Sequence, residues 1–311
     1  MATEIRERGE EESEPSADTP LTWAAVFQVV LLAAGWGGNA PALRFSLDFI
    51  PPFAAAGYRF LIGAVVIAAV ASVQRVRLWP RKGEWAPLVW MGVLFLVQIC
   101  LLNAGSARTT AARQALLINS YPLFVPLLAH LFVPGDRLTW QKSAGTLAAF
   151  IGVLFILGES AFRSGGGIVG DLLIFASAVL LAGKAVYTSR LVQDAHPYKV
   201  LVWQMIIGVP AFFAASLMAG EPGSRWTGLV LTSIVYQGVI VAGLCFIGWT
   251  ALLKYFSPSR LSVGFFLTPV FGAIFSYLLL GEALTGGLLG GGAAILFGLF
   301  MVNRSPTREK A

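Results

Sequence analysis

Charge is scarce in this chain. Asp, Glu, Lys and Arg make up 12% of its 311 residues, about half the share of an ordinary soluble domain. Histidine and cysteine are nearly absent, with two of each. Cys100 and Cys245 lie in apolar runs with no His or acid beside them, so they read as small packing residues and give no support to a disulfide or a metal site. Walker, H-E-x-x-H and G-x-S-x-G motifs are missing, and no Ser/His/Asp grouping is visible. ATP-driven pumping and the familiar hydrolases are therefore excluded, and no catalytic residue, metal or cofactor is expected. Gly165, Gly167 and Gly170 have G-x-G-x-x-G spacing. No strand precedes them, however, and they lie in a loop between apolar runs, so this is not a dinucleotide site. Carboxylates are also missing from the middle of every apolar run, which leaves no expected proton relay or buried sodium site.

What the chain does have is apolar length. Hydrophobic residues make up 57% of it, and mean hydropathy is +0.75. Runs near 20 residues recur, each long enough to cross a hydrocarbon core of about 30 Å. Ten spans are predicted, at 21–41, 51–72, 86–105, 109–132, 139–158, 168–190, 198–219, 227–250, 258–281 and 285–303, with Pro, Gly and polar breaks between them. Only helices satisfy their own backbone groups across lipid without closing a barrel, and these runs are too long for barrel strands. The first 20 residues differ: seven acids and no apolar run predict a solvated, disordered acidic tail at 1–20, followed by the membrane body and a short tail at 304–311. The remaining basic excess fits membrane topology better than nucleic acid. Placing the N-terminus in the cytoplasm puts 15 Lys/Arg on inner segments and four on outer loops, so both termini are expected inside a multi-pass cell membrane protein.

The body also contains a duplication. Pro122 in Tyr-Pro-Leu-Phe answers Pro269 in Thr-Pro-Val-Phe, an offset of 269 − 122 = 147. Gly135-Asp136-Arg137-Leu138-Thr139 answers Gly281-Glu282-Ala283-Leu284-Thr285, and Gly145 and Gly152 answer Gly291 and Gly298. Two units follow, 21–158 and 168–303, with five spans each. Because five is odd, the second enters the membrane upside-down. The expected fold is an all-α membrane protein of ten transmembrane helices in two inverted five-helix repeats, an arrangement that offers two nearly equivalent packings with a site between the halves.

Several short segments together resemble a known family. These are Trp36-Gly37-Gly38-Asn39, Pro51-Pro52 followed by Arg59-Phe60, Gly170-Asp171-Leu172-Leu173, and the two Pro…Gly-Asp/Glu…Leu-Thr…Gly stretches. Over residues 20–303 their order is similar to that of the EamA-type ten-helix branch of the drug/metabolite transporter superfamily. The resemblance implies a central cavity lined from both repeats and the movement, often outward, of small metabolites such as amino acids. Pro134 and Asp136 depart from the family's usual Gly-Glu.

Charge inside a membrane costs several kcal/mol and faces a wet cavity or a partner. Arg59, Arg113 and Lys184 lie within spans. Each reads as an anchor for a carboxylate or, blandly, as a helix tie (Arg59) or a snorkelling base (Arg113, Lys184). Lys184 is the sharpest, because Ser177, Tyr187 and Thr188 share its helical face. Gln114 and Asn119 lie near Pro122 on span 4. Gln28, Trp36 and Asn39 on span 1, Gln98 on span 3, and Tyr236 and Gln237 on span 8 complete the candidate lining; singly, each also suits a packing hydrogen bond. Pro122 and Pro269 are expected to break their helices and serve as gates. The glycines of span 10 favour packing on span 5 over a dimer seam, so a monomer is preferred to a homodimer. The expected partners are a small-molecule substrate and the lipid bilayer, with no nucleic acid. The function expected is secondary transport of amino acids, related zwitterions or organic anions. Export of lipophilic or cationic drugs is the alternative, and a membrane enzyme or sensor a remote one.

Overall fold

The computed structural model describes residues 20–304 apart from 164, 166 and 282–286. The predicted tails, except Pro20 and Arg304, and the predicted Glu282 to Thr285 counterpart of 136–139 lie outside the described residues. Among the described residues, nine helices are long and apolar enough to cross a membrane. They are Trp23–Leu47, Pro52–Val73, Trp85–Ser106, Ala112–Phe132, Trp140–Arg163, Ile168–Asp194, Pro197–Met218, Gly228–Tyr255 and Pro258–Leu279, here spans 1 to 9. A shorter apolar helix of 17 residues, Gly287–Asn303, is span 10. Several spans outrun their predicted ends: span 1 continues to Leu47 and span 8 to Tyr255, because a helix tolerates polar residues once it leaves the hydrocarbon. Starts are chemically marked. Pro52, Pro197 and Pro258 open spans 2, 7 and 9, where a missing N–H is harmless. Thr22, Thr110, Thr227 and Ser257 cap spans 1, 4, 8 and 9 with their hydroxyls.

The halves are related by an approximate two-fold axis, visible in which spans touch. Span 3 packs on span 7 as span 8 packs on span 2; span 3 packs on span 6 and span 4 on span 6, as span 8 and span 9 pack on span 1. Spans 2 and 7, and spans 5 and 10, meet their own counterparts across the axis. The span 5 and span 10 crossing depends on the duplicated glycines. A Cβ added at Gly145 would lie 2.7 Å from the Gly298 carbonyl oxygen, and one at Gly152 would lie 2.5 Å from that of Gly291. No side chain fits there, and the backbones approach as small-residue pairs allow in membranes. Gly135 and Gly281, which end spans 4 and 9, both take left-handed backbone angles, φ +84° and +69°. That explains glycine in both copies.

The repeat extends to the hydrogen bonds. Arg113 and Arg260 stand 260 − 113 = 147 apart. Each amide is capped three residues back, by Thr110 (3.4 Å) and Ser257 (3.3 Å). Each guanidinium reaches the last turns of its own repeat's final span: Arg113 comes within 3.5 Å of the Ala161 carbonyl, and Arg260 donates to those of Val302 (3.1 Å) and Asn303 (2.7 Å). Leu21 N also donates to Asn303 Oδ1 at 2.7 Å, so span 1 begins where span 10 ends. We call this the terminal end of the bundle, and the opposite one the far end.

Three spans are interrupted, each near the fourth residue before a proline. Span 1 breaks at Gly38 before Pro41, span 4 at Asn119-Ser120 after Ile118 and before Pro122, and span 9 through a 3-10 turn, Gly264–Leu267, before Pro269. The proline ring collides with that earlier carbonyl and withholds an N–H. In span 4, Asn119 Nδ2 and Ser120 Oγ donate back to the carbonyls of Ala115 and Leu117, at 2.7 and 2.6 Å, beside the backbone amides of the same two residues, so the turn at the break is held twice over. Pro41, Pro122 and Pro269 each follow one of these interruptions, whereas Pro126 and Pro210 lie inside continuous helices.

Candidate functional site

The breaks converge on one cavity of about 470 Å³ between the halves. Spans 1 to 4 and 6 to 9 line it; the glycine-packed spans 5 and 10 do not. Towards the far end it reaches Leu47, Pro52, Ser106 and Ala107, and towards the terminal end it stops at Thr188, Val200, Leu201, Trp249 and Thr250. Beyond those residues the terminal end is tied shut. Lys199 Nζ meets both Glu84 oxygens (3.0 and 2.7 Å), and Tyr187 Oη donates to the Pro87 carbonyl (3.1 Å). Lys142 Nζ pairs with Asp136 Oδ1 at 2.7 Å with both side chains fully buried, while Asp136 Oδ2 accepts the Ser259 amide of the other repeat at 3.2 Å.

Two cations face the cavity, Arg59 and Lys184, and no carboxylate appears among its described lining residues. The Lys184 ammonium lies 4.9 Å from the Phe95 ring centre and 5.7 Å from that of Phe246. The Arg59 guanidinium lies 4.8 Å from the Phe60 ring, and its Nε is buried without a hydrogen-bond partner. Phe60 stacks edge-on against Phe95 at 4.8 Å and lies 6.0 Å from Phe246, so one aromatic cluster carries both charges. Ring faces attract cations, but they supply about 2 kcal/mol at most. That is well short of the hydration a buried charge loses. A second aromatic group continues the wall: Trp36 lies 4.3 Å from Phe265 and 6.1 Å from Trp249, and Tyr121 lies 5.2 Å from Phe265.

Of the residues singled out from sequence, Trp36, Asn39, Arg59, Gln98, Gln114, Asn119 and Lys184 line this cavity. The Gln98 amide is already engaged, donating to Ser177 Oγ at 2.9 Å while Ser177 donates to the Gln98 carbonyl at 3.0 Å. Four lie elsewhere. Arg113 is held by Asp171, Nε standing 3.1 Å from each carboxylate oxygen and Nη2 closer still, with Thr109 Oγ1 donating to Oδ1 at 2.6 Å. It therefore ties span 4 to the start of span 6. Tyr187 is spent on Pro87. Tyr236 donates to the Gly35 carbonyl at 2.8 Å, and Gln237 Nε2 bonds Ser46 (3.1 Å) and Ser233 (3.2 Å). All three are ties between helices. Gln28 is exposed on the outside of the bundle. Tyr121, Gln204, Thr250, Phe265 and Thr268 were not foreseen yet line the cavity. For two of them a signal existed: Tyr121 and Thr268 each precede a duplicated proline, 268 − 121 = 147.

This chain belongs to the EamA-like transporter family, whose pattern it matches over residues 23–158 and 168–304. It is 24% identical over 278 residues to a Bacillus subtilis protein named uncharacterized transporter YoaV, covering 88% of this chain and 95% of that one. It is 27% identical over 285 residues to a probable amino-acid metabolite efflux pump of Salmonella typhimurium, covering 88% and 93%. A solved crystal structure, 23% identical, shares the fold at a TM-score of 0.79 over 90% of this chain and 98% of its own.

Proposed function

We propose that this EamA-like transporter is a secondary carrier for small metabolites bearing a carboxylate, amino acids and related organic anions among them, and that it exports them by alternating access. The observation that carries this is the pair of cations, Arg59 and Lys184, turned into a cavity whose described lining holds no carboxylate. An incoming carboxylate would supply the partner that the protein withholds, inside the membrane where charge-assisted hydrogen bonds are strong. The two-fold arrangement supports alternation, because each half can adopt the packing now seen in the other. With both termini in the cytoplasm, the present packing would be open outward and sealed inward by the Asp136 and Glu84 ties. The Salmonella relative's name agrees with an amino-acid substrate. The aromatic wall favours the second reading, a lipophilic cation, but the unpaired bases oppose it.

Counterflow in proteoliposomes tests the proposal, with labelled amino acids, organic anions and lipophilic cations and no imposed ion gradient. Exchange of the carboxylate compounds, lost in Lys184→Gln, is the expected result. Exchange of cations alone, unchanged in Lys184→Gln and Arg59→Gln, would overturn it.

A further inference from the structure

The cavity contains a second set of unsatisfied polar atoms, chemically unlike the first. Asn39 Oδ1, Tyr121 Oη and Thr268 Oγ1 are buried and have no hydrogen-bond partner, and all three residues line the cavity. They gather around one aromatic pair. Asn39 follows Trp36 by three residues across the Gly38 break, Thr268 follows Phe265 by three residues, and the Tyr121 ring packs edge-on against Phe265 at 5.2 Å; Trp36 and Phe265 lie 4.3 Å apart. Burying one such group unpaired costs about 1–3 kcal/mol, a cost that a bound ligand pairing these atoms would remove.

We propose that Asn39, Tyr121 and Thr268 form a neutral-oxygen subsite for a primary ammonium, so that the carrier selects zwitterions over simple carboxylates. This rests on the carboxylate reading above, which it narrows. A carbonyl oxygen such as Asn39 Oδ1 can only accept, and both hydroxyls can turn a lone pair inward, so the matching ligand group is a donor. Among donors an ammonium suits best: it offers three hydrogens and is attracted by the Trp36 and Phe265 ring faces. A cation alone would gain little, because the described lining offers it no negative charge and holds Arg59 and Lys184 nearby. The ammonium must therefore arrive with a carboxylate that those bases bind. Tyr121 and Thr268 occupy equivalent places in the two repeats, so the subsite lies where the halves meet.

The test is equilibrium binding to the detergent-solubilised carrier, followed by intrinsic tryptophan fluorescence, to which the cavity residues Trp36 and Trp249 contribute, and confirmed by calorimetry. Three probes share one ring: phenylalanine with both charges, 3-phenylpropanoate with the carboxylate alone, and 2-phenylethylamine with the ammonium alone. Wild type should bind phenylalanine about tenfold more tightly than 3-phenylpropanoate, the equivalent of one or two hydrogen bonds. Asn39→Ala, Tyr121→Phe and Thr268→Val should each shrink that ratio and leave 3-phenylpropanoate binding unchanged, which also shows the variants folded. Equal binding of phenylalanine and 3-phenylpropanoate by wild type would overturn the subsite and spare the carboxylate reading, as would variants that weaken both alike. Tightest binding of 2-phenylethylamine, indifferent to Lys184→Gln, would overturn the carboxylate reading itself. Binding of none of the three would overturn both.

Discussion

Arg113 and Lys184 are both bases inside apolar spans, and the protein treats them in opposite ways. Arg113 sits at the far-end rim with the Asp171 carboxylate clasped to its guanidinium and Thr109 completing the cluster. Lys184 sits deeper, past the middle of span 6, between two phenylalanine faces and with no carboxylate among the described residues that line the cavity. Lys142 and Lys199 resemble Arg113, since each has its acid at 2.7 Å. These three charges that hold helices together are thus paired within the chain, while the two in the cavity have no acid among its described lining residues. A membrane makes that difference expensive, so it is informative about function.

The largest effect that can break this comparison is on Lys184 itself. Lys184→Met should lower carboxylate counterflow about a hundredfold, the worth of one strong charge-assisted hydrogen bond, while raising the melting temperature, because an unpaired buried charge is gone. A lower melting temperature would place Lys184 with the helix ties. Asp136→Asn should do the reverse. It leaves Lys142 buried without its carboxylate and costs about 3 kcal/mol of stability, readable as a shift in a denaturant titration; no shift would mean that the terminal-end tie is not structural. Next comes the glycine seam. Gly298→Ala drives a methyl into the Gly145 backbone and to within 2.7 Å of the Ala149 methyl, and should cost about 2 kcal/mol. Gly290→Ala, with nothing within 4 Å, is the control and should melt as wild type does.

The smallest effect concerns Glu84 at the terminal end. Its hydrogen bonds to Lys199, and then to the Arg81 amide, hold the carboxyl below its ordinary value. A carboxyl depressed by folding stabilises fully above the ordinary carboxylate range, and that stabilisation is lost as pH falls through the folded-state value. Wild type should therefore lose slightly more melting temperature between about pH 6 and about pH 3 than Glu84→Gln does. Parallel curves would show that this tie does not contribute.

Much of the architecture was legible because it is written in period and repetition. Apolar run lengths gave the spans, the 147-residue offset gave the duplication, and the odd number of spans per copy gave the inversion. The two duplicated prolines marked the breaks in spans 4 and 9; Pro41, which breaks span 1, carried the same signal unnoticed. The cavity was legible only in part. Helical phase placed Lys184 and Thr188 together but could not tell that Tyr187, one residue away, turns to Pro87. Span 8 defeats a phase argument for a different reason. Gln237–Cys245 is a π-helix, so the α-helical phase read at Tyr236 and Gln237 does not extend to Val241, Phe246 and Trp249, which face the cavity. The role of Arg113 depends on Asp171, 58 residues away at the head of another span, and a single sequence does not record that two distant loops meet.

The most direct test sets the two kinds of cation side by side. Counterflow of one labelled carboxylate substrate would be measured for Lys184→Gln and for the double variant Arg113→Gln/Asp171→Asn, each normalised to folded protein in the membrane. The account predicts that the first is inactive and the second transports, since removing both partners leaves no stranded charge. Transport by Lys184→Gln at the wild-type rate, or its loss in the double variant alone, would contradict the claim that the unpaired cavity bases await the substrate's carboxylate.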